Sequence, residues 1–248
     1  MLRKRLITVL MFNNGILFRT KNFTPDYRYT LNFVDSWLVD EIIILDITRG
    51  VEKSDSKFFK SVERFAQDCF VPLSVGGLVR SESDFSKLLN HGADKIIINT
   101  KALEEPNFIT SLAKKYGSQC VIVSVDVKKN KNGKYEVFSN KGSNSTGIDP
   151  VKWAKKVQDL GAGEIMLTSI DKDGSLEGYD NKLNRIVSEA VKIPVLVSGG
   201  AGKWQDFVDG INIGKASGVC TNNIYHFTKS SIDSAKKFMY LKGLNVRI

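Results

Sequence analysis

Side chains able to carry acid–base or anion-binding chemistry stand at the ends of short apolar runs. VIVSVD closes on Asp126, a carboxylate that can take or give a proton, although a strand-exit cap is the plainer reading of that residue alone. EIIILD closes on Asp46, and KIIINT on Asn99 and Thr100. EIMLTS brings Thr168 and Ser169, with Asp171, Asp173 and Gly174 just beyond. PLSVGG supplies Gly76 and Gly77, PVLVSGG supplies Ser198, Gly199 and Gly200, and CTNN supplies Asn222 and Asn223. Glycines at such places let a backbone approach an anion closely, and N–H groups at a following helix start donate to it. One glycine pair could be an ordinary turn. Two at equivalent places predict a long substrate with a phosphate at each end. The first run, LITVLM, ends in Met11, which cannot transfer a proton.

These ends must be positioned by the elements that carry them. Apolar runs fall at Leu6–Met11, Ile42–Ile47, Pro72–Val75, Lys95–Ile98, Cys120–Val125, Glu164–Thr168, Pro194–Val197 and Gly218–Cys220. Continuous apolarity suits strands covered on both faces, as in a parallel sheet. Between them lie amphipathic segments such as SESDFSKLLNHGA and DPVKWAKKVQDLGA, opening on Ser or Asp-Pro and closing near Gly. Eight such alternations in 248 residues predict a single (β/α)8 TIM barrel, a fold of about 250 residues whose chemistry sits at the C-terminal strand ends. PLSVGG is echoed by PVLVSGG, and EIIILDITRG by EIMLTSIDKDG, which predicts half-barrel repeats at about 1–118 and 119–248. The echo asks for an acid at position 11. The polar stretch Lys128–Thr146 around YEVFSN predicts a hairpin or lid on the catalytic face.

Composition narrows the function classes. The net charge of +9 is spread along the chain without an aromatic-interleaved basic stripe, so no nucleic-acid partner is expected; a basic surface instead attracts phosphorylated substrates. No run approaches the ~20 apolar residues of a membrane span, and the N-terminal MLRKRLITVLMFNNG reads as the first strand, not as a cleaved leader. Cys69, Cys120 and Cys220 form no C-x-x-C and cannot all pair, which points to a reducing, cytoplasmic setting. No metal site, P-loop or cofactor is expected. His91 and His226 read as a helix-end and a packing residue.

The segments VGG, GADKIIINT, YGSQ, VSVDVK, GAGEIMLTSIDKDG, GYD, VSGGAGK, YHF and LNVRI resemble HisF, the cyclase subunit of imidazole glycerol phosphate synthase, over essentially the whole chain. The resemblance implies a lyase-type synthase subunit that receives ammonia from a HisH-like glutaminase and adds it to a bisphosphorylated ribulosyl nucleotide. It implies a catalytic role for Asp126 and places Arg19 where the family has a mobile-loop lysine. It carries phosphate contacts to Asn99, Thr100, Asp173, Gly174 and Gly200. Arg5, Glu41, Lys95 and Glu164 match a charged ring that gates ammonia at the barrel bottom, and Asp94 and Gln119 match the glutaminase-docking surface.

The upper face departs from that pattern. Met11 replaces the first catalytic Asp, Asn13 and Asn14 replace Lys-Asp, Leu78 takes a glycine position, and Asn222 and Asn223 replace Ala-Ser. The first expectation is therefore a divergent HisF-like subunit aminating a different, phosphorylated or nucleotide-linked sugar. HisF-like proteins of this kind are associated with turning acetamido sugars into acetamidino sugars for surface polysaccharides. The orthodox cyclase of histidine biosynthesis is the second, and a non-catalytic scaffold for the glutaminase the third.

Overall fold

The computed structural model describes residues 3–14, 16–28, 39–68, 70–222 and 231–248. Cys69, Asn223 and His226 lie outside these residues, and only the backbone of Arg19 is described. The chain runs β1 (Arg5–Asn13), β2 (Ile16–Lys21), β3 (Thr24–Arg28), β4 (Glu41–Asp46), α1 (Ser56–Asp68), β5 (Leu73–Gly76), α2 (Glu82–Asn90) and β6 (Lys95–Ile98). It continues through α3 (Thr100–Glu104), α4 (Asn107–Tyr116), β7 (Val121–Lys129), β8 (Tyr135–Ser139), β9 (Asn144–Ser145), α5 (Pro150–Asp159) and β10 (Glu164–Ser169). It ends with α6 (Asn181–Ser188), β11 (Val195–Ser198), α7 (Trp204–Asn212), β12 (Gly218–Thr221) and α8 (Ser231–Leu241).

Strands β1, β4, β5, β6, β7, β10, β11 and β12 pair in parallel, and contacts of β12 with β1 and of β7 with β10 close the ring. The chain is a (β/α)8 barrel. Alternation along each strand separates two cores. Leu6, Leu10, Phe12, Ile42, Ile44, Val121, Val123 and Val125 point outward into the layer shared with the helices. Ile7, Val9, Met11, Ile43, Ile97, Ile122, Met166, Leu196 and Cys220 fill the barrel interior. Helix starts are capped as their sequences suggest: Ser81 and Asp84 form a capping box on α2, while Asp149 and Asp180 cap α5 and α6. Cys220 is buried in the barrel, whereas Cys120 is only half-buried in a short turn before β7.

Two excursions rise above the catalytic end. The 128–146 segment forms the expected hairpin, with β7 running past Asp126 to Lys129 and pairing antiparallel with β8. Asp126 therefore lies inside a continuing strand instead of ending one. The second excursion is the β2–β3 hairpin, which pairs with β1 from Met11 to Asn13. Apolar-run counting overlooks it. The turn that leads into it from β1 is signalled by the Asn-Gly dipeptide at 14–15, where Asn14 has the positive φ (54°) that a two-residue turn requires.

Candidate active site

The two ends of the barrel are built differently. At the bottom, where the strands begin, Arg5 and Lys95 each bridge the same two carboxylates. Arg5 lies 2.8 Å from Glu41 and 3.1 Å from Glu164. Lys95 lies 3.0 Å and 3.2 Å from them. Ser74 donates a further hydrogen bond to Glu41 at 2.6 Å. Burial works against the Arg5 charge, but Glu164 and Glu41 outweigh it and hold the guanidinium above its ordinary range. The four residues predicted as a ring are thus brought into contact as one. Asp94 and Gln119 sit at the same end, both exposed. Asp94 accepts the Leu73 N–H at 2.8 Å, just as Asp40 accepts that of Leu6 at 2.8 Å, so both tie down strand starts. Above the ring the interior is apolar up to Met11 and Met166.

At the top lies a cavity of about 280 Å³ over β1 and β4–β7, reaching Thr168 and Ser198. Asp126 stands in its floor, 8 % exposed. Its carboxylate accepts from Asn99 Nδ2 at 2.7 Å and from Ser124 Oγ at 2.9 Å. Burial pushes its pKa up to about 7; the Ser124 bond opposes the shift and nearby Asp173 adds to it. A carboxyl that shares its proton near neutrality suits general acid–base work. Ser124, two residues away on the same strand face, was not singled out in the sequence because a lone strand serine is ordinary.

Met11 faces the same cavity, its sulfur accepting from the Thr20 hydroxyl at 3.3 Å. Asp46 also lines it, with one oxygen taken by the Thr48 N–H at 3.0 Å. Thr100 lines it too, but its hydroxyl accepts the Asn140 N–H at 3.0 Å and so holds the β8–β9 turn over the mouth. Gly77 lies at the rim; a Cβ there would stand 2.1 Å from the Asp46 carbonyl, so the chain crosses β4 too closely for any side chain. Gly76 sits just below it at the end of β5. Leu78 follows with φ of 56°, a left-handed conformation that glycine adopts without cost, and its side chain occupies the rim.

A second, smaller hollow of about 20 Å³ lies over β10–β12, lined by Asp173, Gly174, Ser198, Gly199, Gly200 and Asn222 among others. Gly200 has φ of 108° and would clash with the Gly178 carbonyl if it bore a Cβ, so the turn is available only to glycine. Asp173 accepts the Phe23 N–H at 3.0 Å, and its carbonyl accepts from Asn22 at 3.1 Å, clamping the β2–β3 turn against this edge. Burial raises the Asp173 pKa, opposed by the bonds from Phe23 and Thr20. Met11 and Ser198 line both hollows and join them. His91 caps the end of α2 through the Lys87 carbonyl, far from this chemistry. Among the described residues no cluster of His, Cys, Asp or Glu could hold a metal ion, and no helix is long and apolar enough to cross a membrane.

The family model described as "Histidine biosynthesis protein" matches residues 9–231. The chain belongs to this family. Its members include the HisF and HisA barrels, which are enzymes, and a divergent HisF-like member is consistent with the match. Within the histidine biosynthesis family, this chain combines the quartet at the bottom with an upper cavity that Asp126, Asp46 and Met11 all line.

Proposed function

We propose that the chain is the ammonia-using synthase subunit of a glutamine amidotransferase pair, HisF-like in architecture, whose acceptor is a sugar other than the orthodox ribulosyl nucleotide. The carrying observation is the pairing of a closed Arg5–Glu41–Lys95–Glu164 quartet below with a Met11-disabled acid pair above. The apolar interior between them favours neutral ammonia over ammonium, since an unpaired charge there would be strongly penalised. A HisH-like glutaminase would dock on the bottom face around Asp94 and Gln119, in a heterodimer of cytoplasmic proteins.

The acceptor reaction that suits a single proton-sharing acid is conversion of an acetamido to an acetamidino group on a phosphorylated or nucleotide-linked sugar, as in surface-polysaccharide biosynthesis. The nitrogen lone pair forms a bond to the acetamido carbonyl carbon, the C–O bond breaks, and the oxygen leaves as water. Asp126 protonates the oxygen twice, once as the tetrahedral adduct forms and once as the C–O bond breaks, and each time recovers its proton from the added nitrogen; Asn99 and Ser124 orient its two oxygens. Thr168, Ser198 and the Gly199–Gly200 turn border the acceptor. The test is steady-state kinetics with the phosphoribulosyl substrate and ammonium salt. Turnover near 1 per second or faster would establish the orthodox cyclase and refute the reading. Loss of all product in Asp126→Asn would refute the scaffold alternative.

A further inference from the structure

Three cations from three separate loops border one side of the larger cavity: Arg49 after β4, Arg80 after β5, and Lys141 at the tip of the β8–β9 turn. Lys141 is held at φ of 57°, where glycine would be easier, and its ammonium reaches the Thr48 carbonyl. Arg49 spends one donor on the Phe23 carbonyl at 2.9 Å, and the rest of its fork meets no partner among the described residues. The Arg80 guanidinium makes no hydrogen bond or ion pair among the described residues. Asp46 and Glu52 share this rim, but one Asp46 oxygen is committed to the Thr48 N–H. Burial lowers the Lys141 pKa; Asp46 resists the shift, and Arg49 and Arg80 reinforce it. Such crowding of like charge at a cavity mouth is relieved by an anion.

The Asn99 and Thr100 side chains expected to meet an anion on this side are engaged otherwise. The Thr100 hydroxyl holds Asn140, the Asn99 amide holds Asp126, and Leu78 occupies the rim. The hollow over β10–β12 is far smaller, about 20 Å³ against 280 Å³, so the bulkier end of the substrate belongs on the cationic side.

We propose that Arg49, Arg80 and Lys141 form a side-chain site for the diphosphate of a nucleotide-linked acceptor, replacing the backbone cradle that Leu78 fills. Two guanidinium forks and an ammonium match the several oxygens of a diphosphate better than one phosphate, because arginine recognises such groups in bidentate fashion. The site rests on the reading that the acceptor is a nucleotide-linked sugar, and sets the sugar next to Asp126.

The test is calorimetric titration of the whole chain with inorganic pyrophosphate, UDP and inorganic phosphate, in the absence of ammonia and glutaminase. The wild type is expected to bind pyrophosphate and UDP, and phosphate about tenfold less tightly. Arg80→Gln and Lys141→Gly should each weaken both diphosphates by about tenfold, with thermal melting unchanged or raised for Lys141→Gly because of its backbone angle. Absence of wild-type binding at millimolar ligand would overturn the site, as would variants within about twofold of wild type. Weakening for UDP alone would place the contacts on the nucleoside and also overturn it. If the variants lose diphosphate binding but no nucleotide-linked acetamido sugar is aminated, the proposed function fails and the site stands. If amination proceeds with KM unchanged in both variants, the site fails and the function stands.

Discussion

Replacing Glu41 by glutamine leaves Arg5 and Lys95 facing a single carboxylate at the barrel bottom. Glu41 is 1 % exposed and accepts three hydrogen bonds, from Arg5, Lys95 and Ser74. The amide oxygen can retain some of them, but the quartet changes from neutral to a net positive charge. Breaking a buried ion pair on one side costs about 3–5 kcal/mol. Here Arg5 and Lys95 keep partial water contact and Glu164 still serves both, so a loss of about 2–3 kcal/mol is expected. For a chain of this size that corresponds to a melting point lower by roughly 4–12 °C. Urea unfolding followed by circular dichroism, with matched thermal melts, measures both. A loss below about 1 kcal/mol would show that the quartet is a surface-type ion cluster of little energetic weight and refute its treatment as one buried unit.

Four further outcomes follow. Asp126 holds its proton in the folded state up to about 7 but loses it near its ordinary value when unfolded, so the folded chain binds more protons between those limits and stability falls as pH rises through them. The stability difference between wild type and Asp126→Asn should therefore move in favour of the variant by on the order of 2–4 kcal/mol from pH 4 to pH 8; a flat difference would contradict the raised pKa. Asn99→Ala removes a hydrogen bond to the Asp126 carboxylate, so the alkaline limb of the activity profile, set by Asp126 as proton donor, should shift to higher pH; an unmoved limb would deny that contact. Leu78→Gly loses a half-buried side chain but relieves a left-handed backbone worth about 1–2 kcal/mol, so unfolding should move by less than about 1 kcal/mol, and a loss above 3 would show that the rim depends on the leucine. Met11→Asp, with the Thr20 hydroxyl as ready donor, should raise phosphoribulosyl turnover above the wild-type level in the ammonium assay, while no gain would mean that more than one acid is missing.

The barrel was legible because its strands are buried on both faces and therefore read as unbroken apolar runs. Lys95–Ile98 is identical in sequence expectation and structure, and the other strands differ by a residue or two at most ends. The longest departure, β7, comes from the antiparallel hairpin that continues it past Asp126, where pairing with β8 replaces the helix-covered environment. Among the described residues, six of the seven connections between barrel strands carry helices, and that between β1 and β4 contains the β2–β3 hairpin, which alternation within a fully buried sheet does not announce. Asp126 was visible as an acid at a catalytic strand end, as Asp46 was, but the cavity that both line was not. Its raised pKa was not, because that comes from burial in the closed barrel, with Asp173 arriving from beyond another strand to add to it. The bottom quartet was suggested by resemblance; single charges at strand starts carry no sign of mutual contact. Arg49, Arg80 and Lys141 were missed for the same reason, since they lie on three loops far apart in sequence.

The central claim is that ammonia entering through the bottom reaches an acceptor other than the ribulosyl nucleotide. The most direct measurement supplies amide-labelled [15N]glutamine to the chain with a HisH-like glutaminase and a nucleotide-linked acetamido sugar, and follows the label by mass spectrometry and NMR. The expected result is one 15N in an acetamidino product, abolished by Asp126→Asn and by omission of the glutaminase. Label appearing instead in an imidazole ring from the phosphoribulosyl substrate at comparable rate, with none in the sugar, would contradict the account.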